Sequence, residues 1–241
     1  MKCSDYTYIW QAPDWPHWHY DLQLLVQPLA EISHAQGLLL GRLADVGLSL
    51  RDQASLTTLT DDVLKTSEIE GEQLNAASVR SSIARRLGVD ISALAPVDRH
   101  VEGIVDMVLD ATQNNTADLT EQRLFGWHAA LFPTGYSGLS QITIAAWRDD
   151  AHGAMQVVSG PVGRQRVHFE APPAAQLSAE ITRLLAWLNA PSPSEPALIR
   201  AALGHLWFIT LHPFDDGNGR IARAIGDLLL ARADGSPQRF Y

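Results

Sequence analysis

Between His212 and Arg223 the chain reads His-Pro-Phe-Asp-Asp-Gly-Asn-Gly-Arg-Ile-Ala-Arg, which sets a possible base, carboxylates, a glycine-rich turn and two arginines within twelve residues. Histidine is the side chain best suited near neutral pH to take a proton from an attacking hydroxyl. Pro213 disfavours the α region for His212, so the preceding helix should end there and leave the imidazole beside a turn. Phe214 carries no chemistry of its own and is expected to bury itself and fix the loop. Asp215 and Asp216 are adjacent, so they point differently and only one can face a site. A single carboxylate of this kind suits Mg²⁺, which completes its shell with phosphates and water.

Gly217-Asn218-Gly219 permits positive φ and a close approach of the backbone, and the residues after it have helical periodicity. A glycine-rich turn that opens a helix presents free N–H groups and a positive dipole end to an anion. Arg220 and Arg223, three apart, share one face of the first turn, where guanidinium forks suit phosphate oxygens. The segment thus has the composition of a nucleotide-phosphate site. No Gly-x-x-x-x-Gly-Lys-Ser/Thr loop, kinase glycine loop with its lysine, or His-Glu-x-x-His motif occurs, which argues against P-loop enzymes, protein kinases and zinc proteases.

Nine of these positions fit His-Pro-Phe-x-(Asp/Glu)-Gly-Asn-Gly-Arg-x-x-Arg, and on them the chain resembles the Fic family. The resemblance implies an adenylyltransferase that moves AMP from ATP to Ser, Thr or Tyr hydroxyls of another protein and releases pyrophosphate. It makes His212 the base and Asp216 the Mg²⁺ ligand, with Gly217, Asn218, Gly219, Arg220 and Arg223 on the phosphates. Asp215, at the family's free position, is expected to be solvated. Thr66-Ser67-Glu68-Ile69-Glu70-Gly71 resembles the family's inhibitory pattern, (Ser/Thr)-x-x-x-Glu-(Gly/Asn), placed ahead of the catalytic core. Thr66, Glu70 and Gly71 are its matching positions. A carboxylate on Arg223 would occupy the fork the γ-phosphate needs.

Around the motif the chain reads as mostly helical. Leu25, Leu29, Ile32, Leu39, Leu40 and Leu43 predict a long helix over 22–48, with Pro28 tolerable near its first turn. Val101, Ile104, Val105 and Val108 mark an amphipathic helix over 97–112. Asp118 as N-cap with Glu121 three residues on predicts a helix over 119–132, stopped by Pro133 and Gly135. Helices over 179–188 and 197–211 flank a proline-serine loop, 189–196. One β-hairpin is expected, from Gln156 to Ser159 and from Arg166 to Phe169 about the turn Gly160-Pro161-Val162-Gly163. It resembles the Fic flap, whose edge strand pairs with a target segment, here with Val157, Val158, Ser159 and Gly160 in the docking role. Residues 6–20 hold three of the seven tryptophans in a proline-broken stretch that should pack as an aromatic strap on a helical body. It also resembles the domain ahead of the core in many bacterial Fic proteins.

The fold expected is therefore mainly α: a Fic-type helical core over 96–241 with one small hairpin, preceded by a helical lobe, 1–95, that bears the inhibitory motif. Net charge is −9, and no basic run exceeds the pair Arg85-Arg86, so direct nucleic-acid binding is not expected. The lone Cys3, the lack of an uncharged apolar run of ~18 residues and a start without a signal-peptide core point to a soluble cytoplasmic protein. Only eighteen residues follow Arg223, where the family's core continues with at least another helix; the resemblance therefore implies a short product or a fragment. The partners implied are ATP, with Mg²⁺, and an unnamed target protein. Two other readings stay open: removal of AMP from modified proteins, with Glu70 positioning water, and a regulatory protein that binds nucleotide without turnover.

Overall fold

The structure, a computed structural model, describes residues 6–151, 153–161, 163–192 and 194–235. Cys3, Val162 of the expected turn and the end Arg239-Phe240-Tyr241 lie outside them. Eight helices are present among the described residues: α1 Leu22–Ala44, α2 Leu48–Ile69, α3 Ala76–Leu87, α4 Arg99–Gln113, α5 Glu121–Leu131, α6 Ala174–Asn189, α7 Ala197–Leu211 and α8 Asn218–Asp234. Two short antiparallel pairs accompany them, β1 Tyr136–Ser137 with β2 Ser140–Gln141 and β3 Gln156–Ser159 with β4 Arg166–Glu170. The mainly helical expectation is met, with β1–β2 as an additional pair whose two-residue strands carry no readable alternation.

Several boundaries differ from the sequence reading. The first helix ends at Ala44 rather than Leu48, because Gly47 becomes the N-cap of α2. Asp118 is not the cap of α5: Thr120 is, accepting from Arg123 N–H at 3.1 Å. Leu119 is held out of the helix by a two-way bond with the Asn189 amide, N–H to Oδ1 and Nδ2–H to the carbonyl, each 2.9 Å. Glu121 accordingly turns to accept from the Trp147 indole at 2.5 Å instead of closing a capping box. α6 begins five residues before the expected Ala179, where the Asp150 carboxylate receives Ala174 N–H.

α4 packs on α3, α5 and α8, and α7 lies between α6 and α8. Their shared core holds Ile104, Leu124, Leu184, Phe208, Phe214 and Ile225, all nearly or fully buried. α2 and α3 join it through Leu56, Leu59, Val63, Val79 and Ile83. The strap packs as expected. Trp15 and Trp18 meet each other and Trp207 edge-on at 5.3–6.2 Å between ring centres, and the Trp10 indole donates to the Glu170 carbonyl at 2.7 Å. Such edge-to-face pairs add about 0.5–1.5 kcal/mol each beyond area burial.

Candidate active site

α7 delivers His212 at its C-terminus, in the left-handed conformation with φ 47° and ψ 56°. That conformation turns the Leu211 and His212 carbonyls out of the helix, and Arg148 receives both: its Nε donates to the His212 carbonyl at 2.7 Å and its Nη2 to that of Leu211 at 3.4 Å. The His212 Nδ1 lies 3.2 Å from the Ile209 carbonyl. A carbonyl only accepts, so Nδ1 carries the proton and Nε2 keeps its lone pair. Burial holds the imidazole below its ordinary pKa; the Ile209 bond opposes this, the Arg148 charge adds to it, and the Asp216 and Glu70 carboxylates oppose it. The imidazole is thereby neutral at pH 7, with Nε2 able to accept a proton.

Phe214 is fully buried and stacks on the His128 ring at 4.1 Å with 6° between planes. Asn218 locks the same loop: its Oδ1 accepts from Phe214 N–H at 3.0 Å and its Nδ2 donates to the Phe214 carbonyl at 2.8 Å. The Asn218 side chain thus serves the loop, and only its backbone N–H remains for an anion. Gly217 (φ 80°) starts α8 and lies so close to Phe132 that a Cβ would come within 2.8 Å of the ring. The first-turn N–H groups of α8 have no partner within the helix and open toward the loop as an anion site.

Glu70 lies against that first turn. Its Oε1 lies where a Cβ on Gly219 would approach to 2.2 Å, and it accepts from Arg223 Nη2 at 2.5 Å. Arg223 is held further by Thr66, through Nε to the hydroxyl at 2.7 Å and Nη2 to the carbonyl at 3.1 Å. Glu70 is the C-cap of α2, and Gly71 at φ 80° makes the turn that carries the chain onward, so that Glu72 points to Arg220, Oε2 to Nη1 at 3.4 Å. His100 of α4 approaches the other Glu72 oxygen at 2.5 Å. Arg220 is buried, its guanidinium over the Phe132 ring at 5.1 Å. The fold thus brings both arginines of the motif against acids from the N-terminal lobe, of which sequence reasoning expected one.

Asp216 faces a cavity of about 540 Å³ lined also by Glu70, Glu72, Tyr136, Ser137 and Arg220. Its Oδ1 accepts from Gly217 N–H at 2.6 Å and its Oδ2 from the Ser137 hydroxyl. Among the described residues no group of three or more acidic, His or Cys side chains could hold an ion alone. One carboxylate aimed into a polar cavity does fit Mg²⁺, which takes one or two carboxylates beside nucleotide phosphates. Asp215 is exposed, as expected, but is not simply solvated: it accepts from Thr143 N–H at 2.9 Å and ties the segment after β2 to the motif.

β3 presents Val157, Val158 and Ser159 exposed, and Gly160 turns at φ 98°. Among the described strands β3 pairs only with β4, which leaves its second edge open. Beside that edge lies a groove of about 730 Å³ bordered by Thr143, Met155, Val158 and Asp215. Arg148, His128, Ser137, Glu72 and His100 all touch the site and went unread in the sequence, where each is a lone polar residue outside any motif.

Parts of the chain are similar to known proteins. Residues 118–230 match the Fic/DOC family, and residues 8–89 match a domain of unknown function, DUF4172. The chain is 31% identical over 173 residues to a protein adenylyltransferase Fic of Drosophila mojavensis, covering 70% of this chain and 31% of the relative. A uridine 5'-monophosphate transferase of Xanthomonas campestris is 39% identical over 69 residues, 25% of this chain and 12% of that protein. The chain therefore spans less than a third of the length of either relative. Among solved structures, Fic-1 of C. elegans (residues 134–508) superposes with a TM-score of 0.57 at 20% identity, over 90% of this chain and 60% of that one. A Fic family protein of Desulfovibrio desulfuricans G20 gives 0.53 at 21% identity, over 91% and 60%. Motif, fold and match converge, and residues 118–230 of the chain are a Fic/DOC family domain.

Proposed function

We propose that this chain is a protein adenylyltransferase held inactive by its own N-terminal lobe. The observation that carries the reading is the Glu70 carboxylate, seated on the Gly219 backbone and on Arg223 beside a neutral, oriented His212. An anion already sits where a helix N-terminus and an arginine fork would take the outer phosphates of ATP.

With Glu70 withdrawn, the first-turn N–H groups of α8 and the guanidiniums of Arg220 and Arg223 bind the β- and γ-phosphates and set the α-phosphorus beside His212. Asp216 would hold Mg²⁺, which when bound screens the phosphate charge. A target segment added along the open edge of β3, at Val157, Val158, Ser159 and Gly160, brings a Ser, Thr or Tyr hydroxyl toward Nε2. The hydroxyl oxygen forms the new bond to the α-phosphorus as its proton passes to His212 Nε2; the bond from phosphorus to the bridging oxygen breaks and pyrophosphate leaves.

The relative named for UMP transfer supports a second reading, in which the same phosphate site accepts UTP. Incubating the Glu70→Gly protein and a cell lysate with each of four α-labelled nucleoside triphosphates tests both. Label from ATP supports AMP transfer, and label from UTP the second reading. No covalent label from any of them would refute nucleotidyl transfer.

A further inference from the structure

Arg148 is buried between the motif loop and the base of the β3–β4 hairpin, a place that packing alone does not require of a cation. Its backbone N–H donates to the Pro213 carbonyl at 2.9 Å, and its side chain reaches the carbonyls of Leu211 and His212. The same fork donates through Nη2 to the Pro172 carbonyl at 2.6 Å, two residues beyond β4, and through Nη1 to Asp150 at 2.9 Å. Asp150 in turn receives Ala174 N–H at 2.7 Å, which starts α6. Met155, just before β3, accepts from Ala171 N–H at 2.9 Å, so the foot of the hairpin is closed onto this same point.

A left-handed non-glycine residue persists only where its surroundings over-determine it. At His212 the carbonyl turned outward by that conformation has Arg148 as its partner, and the carbonyl before it shares the same guanidinium. We infer that Arg148 is the positioning residue for His212: it holds the base in its left-handed conformation and fixes it relative to the hairpin that would present the target. The groups that surround the imidazole electrostatically are Arg148, Asp216 and Glu70, and of these Arg148 alone works to keep it unprotonated. This rests on His212 being the base of the proposed transfer.

The test uses the full chain carrying Glu70→Gly, with Arg148→Gln and Arg148→Lys compared. Arg148→Gln should lower kcat for labelling by about 10- to 100-fold, the scale of an ångström of misplacement, while the Kd for Mg²⁺·ATP stays within about threefold. The His212 pKa, read by NMR and assigned by the loss of its signal in His212→Ala, should rise in Arg148→Gln. Lysine retains the charge but not the fork, so Arg148→Lys should lose rate and leave that pKa near the parent value. A folded Arg148→Gln protein with parental kcat and parental His212 pKa overturns the inference. So does Arg148→Lys at the parental rate, and so does the unfolding of both variants, which would make Arg148 a packing residue. If no variant labels any protein, the transfer reading fails instead, and the NMR titration still decides whether Arg148 sets the state of His212.

Discussion

Replacing Glu70 with glycine removes the carboxylate from Arg223 and from the N-terminus of α8 while leaving the Thr66 bonds in place. The two side chains of the pair are 23% and 36% exposed, so it belongs between the limits for buried and surface pairs. Charge-assisted hydrogen bonds contribute about 1.5–3 kcal/mol and exposed ion pairs about 0.2–1, which places this contact on the order of 1–2 kcal/mol. At 1.4 kcal/mol per factor of ten, productive ATP binding should gain roughly 5- to 30-fold. Steric exclusion by Oε1 over Gly219 adds to that figure. The assay is the initial rate of self-labelling and target labelling from α-labelled ATP with Mg²⁺, beside calorimetric ATP affinity. Arg223→Ala in the same background should return the rate to the parental level or below, since the freed fork is then absent. A contact serving stability alone would instead cost the same amount, about 1–2 kcal/mol, a Tm loss of about 2–8 °C, with activity flat. A folded Glu70→Gly protein that binds ATP and labels no faster than the parent would refute autoinhibition.

His212→Ala in the Glu70→Gly background should reduce labelling by about 10² to 10⁴ while ATP still binds. Because the His212 pKa is depressed, the base stays neutral through pH 7, so kcat should be flat from about pH 7 to 8 and fall only as pH drops below the ordinary histidine range near 6.5. Asp216→Ala should lose the Mg²⁺-dependent part of ATP affinity, which calorimetry with and without Mg²⁺ measures directly; equal gains from Mg²⁺ in both proteins would remove Asp216 from the metal role. His128, His205 and His212 are all pushed down chiefly by burial, so the unfolded chain binds their protons first. Their contribution is full above about pH 6.5 and is lost as pH falls through the folded values, so Tm should decrease progressively from pH 7 to 5. Gly103 lies where a Cβ would meet the Ala130 carbonyl oxygen at 1.8 Å, and Gly103→Ala should therefore force α4 and α5 apart at a cost of about 3 kcal/mol, seen as a Tm drop of roughly 6–12 °C.

The motif was legible because its residues are contiguous and their geometry follows from one turn: Gly217 at positive φ, α8 beginning at Asn218, His212 ending α7. α4 and α7 were legible because their buried faces are apolar at helical spacing. α2 and α3 were not, because Ser55, Thr60, Thr66, Ser67, Ser81 and Ser82 lie on their buried faces and dilute the period. Hydroxyls can stand there because Thr60 bonds back to the Leu56 carbonyl at 2.6 Å and Ser81 receives Ala95 N–H at 2.9 Å. The cap of α5 was misread because the sequence does not reveal that Asn189, seventy residues away, holds Leu119. Glu72 and Arg148 share that difficulty: each acts on a partner far along the chain, and neither has a local pattern.

The way the N-terminal helices meet the motif bears on how the proposed brake would open. Glu70 and Glu72 flank a single positive-φ glycine, while Arg220 and Arg223 stand one helical turn apart, so each acid reaches one arginine, at 2.5 Å and 3.4 Å. The load is shared unequally. Arg223 keeps two bonds to Thr66 when Glu70 leaves, and Arg220 keeps Glu72 and the Phe132 face. α2 is anchored besides by Leu56, Leu59 and Val63 in the core. Clearing the anion site therefore requires only that the Glu70 side chain rotate away from the N-terminus of α8, not that the lobe undock. Under the proposed reading Glu70→Gly should therefore change activity more than stability, and relief of the proposed inhibition would need only a change of rotamer of one side chain at the end of α2.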